Sequence, residues 1–398
     1  MNNYPDISNI WKTLSGENNW EGLLKPLDID LRRFLIRYGE FCQTTYDTFN
    51  SSKYSKYAGT SIFSKKDFFS KMGLTKGNPY KYRVTKFIYA TSGINVPEEF
   101  IIKSLSREAW CKESNFIGYV AVAEDESVAV LGRREIVVAW RGSIQSLEWL
   151  NDFQFSKVPA HDIFGDPHHG DDQPQVHQGW YSIYTSDDPK SPFNKTSARM
   201  QVFAEIKNLM EQYKNEDISI TITGHSMGAT LATLNAVDIV ANNVNNTSKS
   251  CLVTAILYAS PQVGDYNFKK MCSKYDNLRI LRICNFLDVV LLYPLIGYKH
   301  VGQELTVKTI MSPYLKFPGN FWSWHNVEAY MHGIAGYQGD GEFELVVHRD
   351  IALINKHWDH LRPEYLIPPG WWNLKNKGMI QHLDGSWRLE DHEIDEDK

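Results

Sequence analysis

The apolar positions along the chain change their period at residue 116. Between residues 26 and 50 apolar side chains recur every three or four positions, among them Leu31, Phe34, Leu35, Tyr38 and Cys42. This spacing predicts one long amphipathic helix. After it the apolar residues come in short runs rich in β-branched side chains, which predict strands. These runs lie at 116–123, 135–140, 218–223, 253–259, 279–284 and 343–347.

Two stretches between the predicted strands, 197–213 and 228–241, have helical periodicity. Strands that alternate with helices indicate a mostly parallel sheet with helices on both faces, because a parallel neighbour requires a crossover connection. Only a charged turn separates 116–123 from 135–140, so we expect these two strands to be neighbours. The pattern is typical of the α/β class.

A sharp bend is predicted where the strand at 218–223 runs into the helix at 228–241. The residues between them, Gly224-His225-Ser226-Met227-Gly228, match G-x-S-x-G. In a strand–turn–helix context this pattern lifts the serine hydroxyl over the carboxyl end of the sheet, and the glycines leave space for a strained backbone. The helix N-terminus supplies N–H groups that stabilise an anion beside the serine. Ser226 is therefore a candidate nucleophile; the alternative is a serine that only caps the helix.

A serine nucleophile needs a histidine base and a carboxylate that orients this base. In sheets of this kind the chain order is Ser, Asp, His. Asp288 follows the predicted strand at 279–284, and His325 and His332 come later, as this order requires. If their stretch is helical, both histidines share one face, so His332 stays an alternative base. His225 is expected to be structural, because its position in the turn points it away from the serine.

Several linked segments resemble the class 3 lipases, in particular the plant phospholipases A1 that lack a transit peptide. They are WEGLLKPLDIDLRRFLIRYGEFCQTTYDTFN near the amino terminus, VAWRGSIQSLEWLNDFQF, ITGHSMGATLATL, YASPQVGD, NFLDVV followed by YP, and HNVEAYMHGIAGYQG. The resemblance covers nearly the whole chain. It implies an α/β-hydrolase fold with a mostly parallel central sheet flanked by helices. It also implies Ser226 as the nucleophile, Asp288 as the orienting acid and His325 as the base.

The same resemblance implies the groups that hold the oxyanion. The first donor is the backbone N–H of Met227, and the second comes from Ser143 in WRGS. Two preorganised donors stabilise the negative charge that develops in acyl transfer. The next stretch is implied to contain lid or acyl-binding residues, since it matches a mobile lid of fungal relatives; core packing is the alternative. These residues are Leu147, Trp149, Leu150 and Phe153.

The implied activity is that of a serine acylhydrolase acting on glycerolipids through an acyl-enzyme. The expected bond is the sn-1 ester of a phospholipid such as phosphatidylcholine, and no metal or cofactor is needed. Galactolipids, monoacylglycerol, triacylglycerol and small soluble esters stay open as substrates. Acyl transfer to an alcohol and a non-catalytic, lipase-like signalling scaffold also stay open.

Charge indicates which partners to expect. The chain has 42 Lys and Arg against 47 Asp and Glu, a net charge of −5, which gives no reason to expect nucleic-acid binding. Residues 64–86 carry seven basic residues against one acidic residue, interleaved with aromatic ones. This segment suggests transient association with a membrane surface, with a solvated face as the alternative. The acidic end at 390–398 is expected to be frayed, and no obligate protein partner is evident.

The amino-terminal residues resemble neither a signal peptide nor a transit peptide, and no apolar run approaches about 18 residues. Five widely spaced cysteines fit free thiols in a reducing compartment. We therefore expect a cytoplasmic location. The loop at 161–179 is rich in His and Asp, but its four histidines lack the usual metal-site spacing, so we expect a solvated loop. Residues 1–95 are expected to form a helical arm on the core, and residues 96–398 the lipase domain, as one structural unit.

Overall fold

A seven-stranded sheet forms the centre of the protein in the computed structural model, which describes residues 5–106, 113–144, 156–165, 173–246, 251–339, 341–372 and 378–395. The strands are β1 (Tyr82–Ala90), β2 (Asn115–Ala123), β3 (Arg134–Trp140), β4 (Lys157–Pro159), β5 (Gln175–His177), β6 (Ile218–His225), β7 (Leu252–Tyr258), β8 (Leu278–Asn285), β9 (Gln303–Val307), β10 (Tyr337–Gly339), β11 (Glu342–Phe343), β12 (Gly378–Gln381) and β13 (Trp387–Glu390). The central order is β1-β2-β3-β6-β7-β8-β9, and the other strands form two-stranded ribbons.

The helices lie between and around these strands. They are α1 (Trp11–Leu14), α2 (Ile29–Asp47), α3 (Phe68–Lys71), α4 (Asp125–Leu131), α5 (His161–Phe164), α6 (Gln178–Thr185), α7 (Ala198–Gln212), α8 (Met227–Ala241), α9 (Tyr266–Cys272), α10 (Phe321–Trp324) and α11 (Val327–Gly336). Short 3-10 helices occupy Val289–Leu292, Thr309–Met311, Ile351–Asn355 and Pro363–Tyr365. In the ranges described, no helix has both the length and the apolarity needed to cross a membrane.

The sheet is mostly parallel. Strands β3, β6, β7, β8 and β9 pair in parallel, whereas β1, β2 and β3 pair antiparallel at one edge. Alternate residues of β3 point to opposite faces, with Ile136 and Val138 on one and Val137 and Ala139 on the other. Helices α6, α7 and α8 cover the first face, and α2 and α11 cover the second. The α/β prediction is therefore confirmed.

The predicted amino-terminal helix is α2, whose ends lie three residues inside the predicted range of 26–50. Its first turn is capped by Asp28, whose carboxylate accepts hydrogen bonds from the N–H groups of Asp30 and Leu31. The helix packs on the second face of the sheet. Segment 1–95 also supplies β1, the edge strand of that sheet. The boundary at residue 95 stays a prediction.

Most predicted strands and helices are present, but the central sheet has two further strands and one predicted strand is absent. The sequence reading missed β1 and β9. It was also wrong for 343–347, where only Phe343 belongs to a strand. The N–H groups of Glu344 and Val346 donate instead to the carbonyls of Gly336 and Ala335 at the end of α11. The segment is therefore hydrogen-bonded to the last turn of α11 and does not join the central sheet.

The expectation of a solvated loop at 161–179 is wrong for residues 174–179, which are buried or half-buried; His161 and Asp162 are exposed, and residues 166–172 lie outside the described residues. Helix α5 begins the segment, and β5 and the start of α6 end it. The side chain of His177 is completely buried and stacks on Trp180 at a ring-centroid distance of 4.0 Å. Burial lowers the pKa of His177 to about 3. Within the described ranges no group of three or more His, Cys, Asp or Glu side chains could hold a metal ion.

Residues 391–395 of the acidic end pack against the rest of the chain, so the expectation of a frayed tail is wrong for them. The N–H of Glu393 donates to the carbonyl of Ile62 at 2.8 Å, and its carboxylate lies 3.1 Å from Lys71 Nζ. Asp391 accepts a hydrogen bond from Asn50. The tail therefore lies along the basic segment 64–86.

Candidate active site

The turn between β6 and α8 has the geometry of a nucleophile elbow. Ser226 alone separates the last residue of β6 from the first residue of α8. Its backbone has φ 58° and ψ −128°, a conformation that residues other than glycine rarely adopt and that costs about 1–3 kcal/mol. The N–H of Ser226 donates to the carbonyl of Tyr258 in β7, and its carbonyl accepts from Ala229 N–H in α8. These bonds hold the strained turn between the sheet and the helix.

Glycines around the elbow permit backbones to approach very closely. A methyl group on Gly228 would lie 2.4 Å from the carbonyl oxygen of Trp140, at the end of β3. A methyl group on Gly142 would lie 2.4 Å from the carbonyl oxygen of His225. The neighbouring atoms are backbone and cannot move aside, so only glycine fits. The loop after β3 is thus packed directly against the elbow.

Asp288 and His325 are joined by a hydrogen bond. Asp288 follows β8, and its Oδ2 lies 2.7 Å from His325 Nδ1. Its other oxygen accepts from the N–H of Val290 at 3.0 Å and so caps a short 3-10 helix. Next in sequence to His325, Asn326 caps α11 through its side chain. Both side chains of the pair are therefore fixed by the local structure that carries them.

The structure selects His325 and not His332 as the partner of Asp288. His332 lies in α11, where its Nε2 is 2.7 Å from Ser312 Oγ and its ring packs on Phe343. Burial lowers the pKa of His332 to about 3, so this side chain is a neutral, hydrogen-bonded core residue. The alternative assignment of His332 as the base therefore lacks the carboxylate contact that the role requires.

Tyr330, which the sequence reading missed, is the third contact of Asp288. Its hydroxyl donates to Asp288 Oδ2 at 2.6 Å and accepts from the N–H of Asn285 at 3.1 Å. Burial, together with the Asp288 charge, raises the pKa of Tyr330 well above its usual value. The hydroxyl hence keeps its proton and acts as a donor. Only its place as the tyrosine of the HNVEAY run, five residues after His325, could have drawn attention to it.

Ser226 and His325 lie at one place in the fold. The imidazole ring of His225, the residue before Ser226, is 4.6 Å from the ring of His325 between centroids. Ser226 Oγ and His325 Nε2 are both buried, and neither has a hydrogen-bond partner in the part of the chain that the structure describes. In enzymes without a ligand such contacts are often long and tighten when the substrate binds. His225 Nε2 is also buried and without a partner there, but its Nδ1 faces the Tyr46 hydroxyl, whereas Nδ1 of His325 faces Asp288.

His225 makes two contacts that suit the structural role predicted for it. Its Nδ1 lies 2.8 Å from the hydroxyl of Tyr46 in α2, and its ring lies against His325. Burial, followed by the nearby His325, lowers the pKa of His225 well below its usual value. The ring therefore stays neutral and places no like charge beside the candidate base.

The proposed oxyanion donors flank the elbow. Met227 is the first residue of α8, where an N–H has no partner within its own helix. Ser143 lies in the loop after β3, which Arg141 holds in place by donating to the carbonyls of Phe116 and Phe100. This anchoring fixes the loop against the elbow. The candidate lid residues Leu147, Trp149, Leu150 and Phe153 lie outside the described residues.

Known proteins are similar in sequence to nearly the whole chain. A family model described as Lipase (class 3) matches residues 137–298. Phospholipase A1-IIgamma of Arabidopsis thaliana is 55% identical, over 99% of this chain and 95% of that protein. Phospholipase A1-II 1 of Oryza sativa subsp. indica is 52% identical, over 98% of both. The fold and these matches define a class 3 lipase, an α/β hydrolase. Within that class the chain belongs to the phospholipase A1-II family.

Two lipases of known structure align with this chain. The nonglycosylated Yarrowia lipolytica LIP2 lipase aligns with a TM-score of 0.46 and 17% identity, over 71% of this chain and 82% of that chain. A triacylglycerol lipase from Penicillium expansum aligns with a TM-score of 0.41 and 15% identity, over 69% of this chain and 81% of that chain.

Proposed function

We propose that this protein is a phospholipase A1, a serine acylhydrolase that cleaves the sn-1 ester of phospholipids such as phosphatidylcholine. The observation that carries the proposal is the buried Asp288–His325 hydrogen bond beside a strained Ser226, in a chain that belongs to the phospholipase A1-II family. An acylhydrolase needs a nucleophile, a base and an orienting acid in this spatial relation.

Acylation begins when His325 Nε2 removes the proton of Ser226 Oγ as this oxygen attacks the ester carbonyl carbon. Asp288 accepts the Nδ1 proton of His325, which fixes the tautomer and stabilises the imidazolium that forms. The backbone N–H groups of Met227 and Ser143 donate to the oxyanion. Each such donor contributes about a 100- to 1,000-fold increase in rate.

The second half of the cycle releases the products. His325 gives its proton to the departing glycerol oxygen, and a lysophospholipid leaves. The same nitrogen then removes a proton from water as the water oxygen attacks the acyl-enzyme carbonyl carbon. His325 returns this proton to Ser226 Oγ as the serine leaves, and the fatty acid is freed.

A cytoplasmic location is part of the proposal. The four cysteines that the structure describes, Cys42, Cys251, Cys272 and Cys284, are buried free thiols, which suits a reducing compartment. A fluorescent fusion is expected to distribute through the cytosol. Stable retention inside plastids would contradict this location.

Covalent labelling tests the role of Ser226. An alkyl fluorophosphonate should modify the wild-type protein once, and peptide mass mapping should place the adduct on Ser226. The Ser226→Ala variant should remain folded, take no label and hydrolyse no phosphatidylcholine. Replacement of a buried serine in α4, Ser127→Ala, is the control and should leave labelling intact. An adduct on another residue, or turnover by folded Ser226→Ala, would refute the assignment.

A further inference from the structure

The loops that carry Asp288 and His325 expose large apolar side chains. Six of them form what we call the apolar rim: Phe286, Leu292, Leu295, Ile296, Phe317 and Trp322. Ile296 is 87% exposed and Phe317 is 74% exposed. Folding alone does not favour this arrangement, because exposed apolar surface is stabilised only when something else covers it.

The apolar rim lies on the two loops that meet at the candidate active site. The Asp288–His325 hydrogen bond joins the two loops. Phe286 lies two residues before Asp288, and Trp322 lies three residues before His325. Phe321, the residue before Trp322, stacks on the His325 ring with the ring centroids 6.4 Å apart. Any ester that reaches Ser226 beside His325 therefore arrives next to the rim.

The side chains around the rim suit a lipid–water boundary. Trp322 stacks on Trp358, which is also exposed, with ring centroids 5.5 Å apart. Tryptophan is enriched at such boundaries because its ring is apolar and its N–H is polar. Lys308 lies over the Phe286 ring, and Lys299 is exposed three residues after Ile296. Long basic side chains can cover apolar surface and reach phosphate groups.

The basic segment 64–86 is less suited to contact lipid than its sequence indicates. Its four aromatic side chains, Phe68, Phe69, Tyr80 and Tyr82, are buried in the core. Lys71 and Lys65 lie 3.1 and 3.8 Å from carboxylates of the acidic tail. The tail thus reduces the positive charge of this face.

We propose that the apolar rim docks on the surface of a phospholipid bilayer and presents Ser226 to the ester bonds of the leaflet that faces the protein. The proposal rests on the proposed function, which requires a substrate that resides in such a bilayer. It assigns the membrane contact to the loops around Asp288 and His325 and not to the basic segment.

Vesicle binding without turnover tests the rim separately from the chemistry. All proteins carry Ser226→Ala, so the bilayer stays intact whatever the reaction is. Co-sedimentation with large vesicles of phosphatidylcholine mixed with an anionic phospholipid, which a basic segment would need, gives a partition coefficient for the parent, for Leu295→Ser/Ile296→Ser and for Leu383→Ser. Leu383 is the matched control, because it is a fully exposed leucine in the β12–β13 turn. A fourth protein, Lys66→Glu/Lys76→Glu, tests the basic segment.

The double rim variant is expected to partition at least about tenfold more weakly than the parent, since two apolar side chains lose their contact with lipid. The Leu383 and lysine variants should bind like the parent, and thermal unfolding should show that all four proteins are folded. Unchanged binding of the rim variant, or an equal loss in the Leu383 variant, would overturn the proposal. The proposal would also be overturned if the parent did not bind or if only the lysine variant lost binding. It would be overturned as well if the double rim substitution acted only by dissociating a dimer.

Discussion

Tyr330→Phe should separate the orientation of Asp288 from the packing around it. The substitution removes one oxygen atom from a buried side chain and leaves its ring in place. That hydroxyl donates to Asp288 Oδ2 at 2.6 Å and accepts from Asn285 N–H at 3.1 Å. The variant therefore removes one of three hydrogen bonds to the carboxylate and leaves those from His325 and Val290.

The magnitude follows from these contacts. A hydrogen bond to a charged acceptor contributes about 1.5–3 kcal/mol, and a buried N–H left without a partner adds a further cost, so the free energy of unfolding should fall by about 2–4 kcal/mol. Asp288 would also orient His325 less well when the imidazolium forms. If about 1.4–2.8 kcal/mol of transition-state stabilisation depends on this orientation, kcat/KM falls about 10- to 100-fold.

The assay compares Tyr330→Phe with Tyr38→Phe. Tyr38 in α2 is also buried, and its hydroxyl donates to a buried carboxylate, Glu135, at 2.5 Å. Both variants should lose stability in urea unfolding, but only Tyr330→Phe should lose kcat/KM on phosphatidylcholine micelles. Activity of Tyr330→Phe within twofold of wild type would refute the reasoning. An equal loss of activity in folded Tyr38→Phe would refute it too.

Two further predictions concern packing and pH. Gly228→Ala would place a methyl group 2.4 Å from the carbonyl oxygen of Trp140. The free energy of unfolding should therefore fall by about 3 kcal/mol, and activity should be lost. A urea unfolding curve that matches wild type would contradict this. His332 has a pKa of about 3 in the folded protein, against about 6.5 when unfolded. As the pH falls below 6.5, the unfolded chain binds a proton there that the folded chain does not, so stability should fall by up to about 1.4 kcal/mol per pH unit. His332→Gln should reduce that slope between pH 6.5 and 5, and an unchanged slope would show that His332 does not contribute.

The buried parallel strands could be predicted from the sequence because both of their faces are covered. Their apolar runs are therefore nearly continuous, as in β6 and β7. Strand β1 was missed because two register shifts break its alternation and because Arg83 and Lys86 point to solvent. Strand β9 was missed because it is a short edge strand that begins with exposed Gln303 and Glu304.

The candidate site was predictable where function places residues in a fixed order along the chain. The elbow and the order Ser, Asp, His are features of this kind, and they led to Ser226, Asp288 and His325. Tyr330 and Tyr46 were missed because their contacts join residues far apart in sequence, 42 and 179 positions from their partners. Hydrophobic spacing marks such tyrosines only as core residues, since it carries no information on where a buried hydroxyl finds its partner.

The most direct test of the proposed activity uses phosphatidylcholine with different labelled acyl chains at sn-1 and sn-2. Purified wild type and Ser226→Ala are assayed in parallel, and the released fatty acids are identified by mass. We expect wild type to release the sn-1 label first, and Ser226→Ala to release neither. Initial release of the sn-2 label, or no release of either label by the folded wild-type protein, would contradict a Ser226-dependent phospholipase A1.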